Sequence, residues 1–271
     1  MTRAILLGTT GIAVAFGMLA FGFLAGRTQL ANVDSQPEVV MASADTLDRK
    51  GVETIVREYL LDNPEILREM QAALDAREKE EQRIAQLEII RQAKEEIFNA
   101  GYDGVVGNPN GKVTIVEFYD YNCGFCKRAQ EDMLALTAAD PDLRFVLKEF
   151  PILGPDSQKA HIVAQAFLKL MPEKYTEFHN QLISAPGRAG EASAMKLALA
   201  LGADEAQMRE AMKDPAIQEN FARTYELANK LSITGTPSYV VGNEVIFGAL
   251  GQDVLAEKIA AAKTCIADAT C

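Results

Sequence analysis

Cys123-Gly124-Phe125-Cys126 sets two thiols one helical turn apart. An apolar, strand-like run (residues 113–118) comes just before it, and a helical pattern (residues 127–137) follows. Cys123 therefore falls at a helix N-terminus, where unpaired backbone N–H groups and the helix dipole favour negative charge. A thiolate is the nucleophile of disulfide exchange, and such a setting lowers a cysteine pKa from ~8.5 into the range of roughly 3.5–7.5. Cys126 lies one turn deeper, within reach to close a disulfide or resolve a mixed one. Two other readings compete with redox chemistry. One is a plain structural disulfide. The other is half of a zinc site, but zinc needs further Cys or His ligands at matching spacing. Cys265 and Cys271 are distant and wrongly spaced, and the only histidines, His161 and His179, fall in a separate helical stretch. Redox chemistry is the preferred reading, with no cofactor and no resident metal expected.

The chain has 271 residues, 48% of them hydrophobic and 24% charged, which is ordinary globular composition. A net charge of -11 excludes a nucleic-acid partner and a basic membrane-surface helix. Residues 4–25 carry no charge, with Arg3 before them and Arg27 after them. At ~1.5 Å per residue such a run is long enough to cross a hydrocarbon core of ~30 Å. It also fits a secretory signal, with a basic start, an apolar stretch and small residues at the end. Signal peptide and uncleaved anchor both remain open for residues 1–27, and either one exports the rest. Export leads to a periplasmic or other extracytoplasmic setting, where disulfides persist.

Residues 28–46 are polar and aperiodic, as in a linker. Residues 47–100 are helical in character. Val52, Ile55, Val56, Tyr59 and Leu60 mark one amphipathic helix, and Asp62-Asn63-Pro64-Glu65 marks a break and restart. A longer helix follows, with apolar stripes at both ends and a charged middle. It predicts either a loosely docked spacer or a stalk whose seams meet in other subunits, making a homo-oligomer through residues 47–100. Residues 99–111 are expected to be loop. Strands are expected at 113–118, 143–149, 238–241 and 245–247, the last two joined by Gly242-Asn243. A helical block spans about 156–231, and residues 255–263 close the chain with a helix. The order implies an α/β layer architecture for residues 101–271, with the helical block inserted between two halves of the sheet.

This order, together with Glu117-Phe118-Tyr119-Asp120-Tyr121-Asn122 before the cysteines and Ile233-Thr234-Gly235-Thr236-Pro237 after the helical block, resembles the DsbA-type branch of the thioredoxin superfamily. The helical N-terminal extension further resembles its ScsC- and Com1-like members, in which that region can mediate oligomerisation. The resemblance implies a thioredoxin-like fold with a helical insertion. It implies Cys123 as nucleophile and Cys126 as resolving cysteine. It makes Pro237 a cis-proline whose neighbour Thr236 pairs with a substrate strand, and Glu117 a buried acid that relays protons to and from the resolving thiol. Gly124 and Phe125 tune the redox poise. They lack the histidine of the strongly oxidising members and resemble the dipeptide of DsbC-type isomerases. Lys148 is expected to pair with Glu117 or to lie in solvent.

The expected function is that of an exported thiol–disulfide oxidoreductase acting on cysteine-containing proteins, either as oxidase or as isomerase, recharged by a membrane redox partner. The alternative is a thiol-based copper-binding or copper-tolerance protein, since two thiolates can hold a soft ion. Cys265 and Cys271 admit three readings: a local disulfide pinning the tail, a second redox pair, or an intersubunit bond.

Overall fold

The computed structural model describes residues 48–267. The signal or anchor at 4–25, the linker at 28–46 and Cys271 lie outside the described residues. Among those described, no helix is long and apolar enough to cross a membrane. The described residues fall into two compact units, 48–69 and 70–267.

In the first unit, helix α1 (Arg49–Asp62) starts where the Asp48 carboxylate accepts the Gly51 N–H at 2.7 Å. It ends at Asn63, ahead of Pro64. None of its residues is buried, and apolar side chains such as Tyr59 and Leu61 stay exposed, Leu61 by 68%. Helix α2 (Ile66–Gln92) follows. The expected single long helix instead stops at Ala93, which leaves helical geometry, and restarts as α3 (Lys94–Phe98). The far end belongs to the second unit, where Ile90 and Ile97 are buried while Ile84 stays exposed.

The second unit is built on a five-stranded sheet of order β1-β3-β2-β4-β5, from β1 (Gly104–Gly107), β2 (Val113–Tyr119), β3 (Leu143–Glu149), β4 (Ser238–Val241) and β5 (Glu244–Phe247). β2 and β3 run parallel, joined by the crossover helix α4 (Gly124–Ala139), and every other pairing is antiparallel. β2 and β3 are mostly β-branched, aromatic and apolar, with Glu117, Arg144, Lys148 and Glu149 as the charged exceptions, and they are largely buried on both faces, as expected of parallel strands. The expected loop at 99–111 is corrected by β1, which pairs along β3. Its glycines read as turn residues in sequence. Gly104 is needed because a Cβ there would lie 1.9 Å from the Tyr175 ring.

Between β3 and β4 the chain is helical: α5 (Pro155–Leu170), a 3-10 turn (Pro172–Lys174), α6 (Tyr175–Ser184), α7 (Glu191–Ala200), α8 (Glu205–Ala211) and α9 (Pro215–Lys230). Proline opens both α5 and α9, where its missing N–H costs nothing. Helix α10 (Gln252–Ala267) closes the described chain. The expected α/β layering is thus the architecture found. Alternation along the strands sends Ile115, Tyr119, Phe145 and Leu147 to one core with α4 and the inserted helices. Val116, Phe118 and Val146 go to the other, with Ile90, Ile97 and Leu227.

Candidate redox site

Cys123 is the N-cap of α4, and its sulfur accepts the Cys126 backbone N–H at 3.4 Å. On its other side the thiol donates to Thr236 O at 3.1 Å, and Thr236–Pro237 is cis. The loop is held in turn by its neighbours: Gly248 N–H donates to Pro237 O (2.9 Å), and Ser238 Oγ donates to Gly235 O (2.8 Å). Residues more than a hundred positions apart therefore meet at one sulfur. Cys123 and Cys126 are both free thiols.

The two sulfurs differ in charge preference. A hydrogen bond from the Cys126 side chain is the largest influence on Cys123. Partial burial opposes it, and the Thr236 side chain and the N–H groups of Cys126 and Phe125 add to it. Together they bring the thiol down to about 5. Cys126 is fully buried, and desolvation first, then its bond to Cys123 and the nearby Glu117 charge, push it well above the ordinary thiol range. Glu117 is buried in β2 opposite Tyr239. Desolvation, then the charges of Cys123 and Asp132, raise it to about 8. Phe125 is 58% exposed, with the Arg128 guanidinium 4.3 Å over its ring, and Gly124 leaves the approach beside Arg128 open.

Lys148 does not pair with Glu117. The parallel register sets Glu117 beside Leu147 and Lys148 beside Phe118, so the two charges project from opposite faces of the sheet. Nor is Lys148 solvated. It is completely buried, 2.6 Å from Asp103, and also donates to Glu96 O. Desolvation raises Asp103 to about 7 against the pull of Lys148. Lys148→Met should lower the unfolding free energy by about 3 kcal/mol, because it strands a buried carboxylate. Urea melts measure that loss, and the Cys123 titration should not move.

Several residues at the site were given no role by the sequence. Asp120 accepts from Asn122 N–H (2.8 Å), Ser157 Oγ (2.8 Å) and Leu153 N–H (2.9 Å). Asn122 bonds Ser157 Oγ and both the N–H and C=O of Ala189, and Lys127 Nζ donates to Ala185 O and Gly187 O. His161 contacts Glu149 through Nδ1, and Tyr175 OH donates to the same carboxylate at 2.9 Å. Both histidines, taken in sequence as ordinary helix residues, are buried within this polar and aromatic cluster. Burial lowers His179 to about 3. Cys265 is disulfide-bonded. Among the described residues no cluster of three or more metal-ligating side chains occurs.

A family model described as a DSBA-like thioredoxin domain matches residues 114–260. A second, described as the copper resistance protein ScsC N-terminal domain, matches residues 48–81. A thioredoxin-like oxidoreductase from Silicibacter pomeroyi is 37% identical with a TM-score of 0.60, covering 63% of this chain and 97% of that one. The thiol-disulfide exchange protein alpha-DsbA2 from Wolbachia pipientis is 30% identical with a TM-score of 0.61, covering 66% of this chain and 96% of that one. Disulfide bond formation protein D from Bacillus subtilis is 27% identical over 165 residues, 57% of this chain and 74% of that protein. Of two matching Na(+)/H(+) antiporters from Salinispora species, the chain spans only 24% of the length.

Proposed function

This chain belongs to the DsbA-like thioredoxin-domain family, and we propose that it is an exported thiol–disulfide oxidoreductase that shuffles disulfides in other proteins. The observation that carries the reading is the placement of the two thiols, with Cys123 as N-cap of α4 between the Cys126 N–H and Thr236 O, and Cys126 fully buried one turn deeper. The Cys123 thiolate attacks a substrate disulfide, forming a mixed disulfide and releasing one substrate thiolate. Cys126 then loses its proton to the Glu117 carboxylate and attacks the Cys123 sulfur. The second substrate thiolate leaves, with the substrate reduced by two electrons and the site oxidised. In reverse, the site donates its disulfide. Thr236, ahead of Pro237, offers its backbone to an extended substrate segment beside the sulfur.

The Gly124-Phe125 dipeptide between the cysteines has no histidine, and this supports isomerisation, in which the site must be able both to attack and to leave. The unpartnered apolar residues of α1 support self-assembly through residues 47–100, which would present several sites to one substrate. Export is supported by the uncharged run at 4–25, and an extracytoplasmic compartment by the disulfide at Cys265. A membrane redox partner resets the site. Equilibration against glutathione tests the reading. The expected reduction potential falls between the ~-120 mV of DsbA and the ~-270 mV of thioredoxin, and a value at the oxidising end would make the protein a dedicated disulfide donor instead.

A second reading, copper handling, is favoured by the description of the family matching residues 48–81 and by two adjacent free thiols. Insulin reduction that persists with copper chelated would count against it as the main role.

A further inference from the structure

Outside the reacting groups, the polar cluster around His161 touches the active-site turn most directly. His161 is fully buried on α5, within the helical insertion. Its Nε2 accepts the backbone N–H of Tyr121 at 3.2 Å, so the ring presents a lone pair there and carries its proton on Nδ1, toward Glu149. Glu149 is fixed in turn by Tyr175 OH. Tyr121 is the second residue of the turn that ends in the nucleophile: Cys123 N–H donates to Asp120 O at 2.9 Å, directly before the first turn of α4. The Tyr121 N–H reaches a side chain of the insertion, whereas the N–H groups of Asn122 and Cys123 are accepted by Asp120 within the turn.

We infer that His161 is a positioning residue for the Cys123 thiolate: by accepting the Tyr121 N–H it holds the 120–123 turn so that the N–H groups of α4 point at the sulfur, coupling the helical insertion to nucleophile reactivity. The inference rests on Cys123 being the attacking thiol. An unanswered buried N–H at Tyr121 relaxes the turn toward another acceptor, and small losses of alignment weaken N–H···S bonds. Nothing in this role requires His161 to exchange a proton.

Two substitutions separate positioning from packing. Glutamine can place an oxygen near the Nε2 position, whereas asparagine reaches only as far as Nδ1 and leaves the Tyr121 N–H without an acceptor. Thiolate absorbance of the reduced full chain is followed against pH in the unsubstituted protein, His161→Asn and His161→Gln. The expected result is an upward shift of the Cys123 midpoint by about half a unit in His161→Asn, roughly threefold less thiolate below the midpoint, with His161→Gln close to the parent. A depressed midpoint in the parent that moves equally in both variants, or in neither, overturns the inference alone. An ordinary thiol midpoint in the parent overturns the reading of Cys123 and this inference with it.

Discussion

Cys126→Ser should turn the protein into a trap. Cys123 can still attack a substrate disulfide, but nothing remains to displace the substrate from the mixed disulfide. Turnover in insulin reduction should fall by roughly a thousandfold, because the two sulfurs act as one unit, while covalent adducts accumulate on non-reducing gels. Serine is the right replacement, since a bond from the Cys126 side chain is the largest influence holding Cys123 down and a hydroxyl can still donate it. Cys126→Ala removes that donor and should form adducts more slowly at acidic pH. Cys123→Ser should give neither turnover nor adducts. Adducts in Cys123→Ser, or their absence in Cys126→Ser, would reverse the assignment of the two roles.

The second large effect is a pH-dependent difference in stability between the reduced and oxidised protein. Cys123 is depressed from 9.0 to about 5. The stability it contributes is complete above about 9 and is lost as pH falls through about 5. Glu117 is raised from 4.5 to about 8, so its contribution is complete below about 4.5 and is lost as pH rises through about 8. Across the shared window the two slopes oppose one another, and the reduced protein should change little. The oxidised protein has no thiolate. The upward shift of Glu117 comes first from desolvation and survives, so that form should weaken with rising pH. The gap should widen by at most ~1.4 kcal/mol per pH unit, less what solvent screening removes. Urea melts of both forms between about pH 5 and 8 measure it. Glu117→Gln should flatten the oxidised curve and leave the gap. A gap that ignores pH would remove Cys123 from its role.

The parts of this molecule legible in its sequence are those written in local pattern. The apolar β2 and β3, the thiols at a strand–helix junction and the proline-opened helices are all of this kind. What the sequence hid depends on register and distant packing. Val146 and Lys148 share one face of β3, while Leu147 and Glu149 share the other, but only the pairing with β2 decides which face meets Glu117. The partner of Lys148 comes instead from Asp103, just before a strand whose glycines resembled a loop. His161 looked like an ordinary helix residue, and Asp120 was only one member of the motif before the cysteines, because the contacts that give them meaning come from elements farther along the chain.

Cys123 is only 5% exposed, with Thr236 O on one flank and the Cys126 N–H on another. Displacement at sulfur needs the attacking and leaving atoms nearly in line, so a target disulfide must approach from a side that neither of these groups covers. A bridge inside a finished domain, walled by its own backbone, cannot present itself that way, whereas one on a stretch of chain drawn out straight can. On the proposed reading, the recess around this sulfur should therefore act as a clock, admitting cysteines while their protein is still folding or has locally opened and excluding them once the native structure has set.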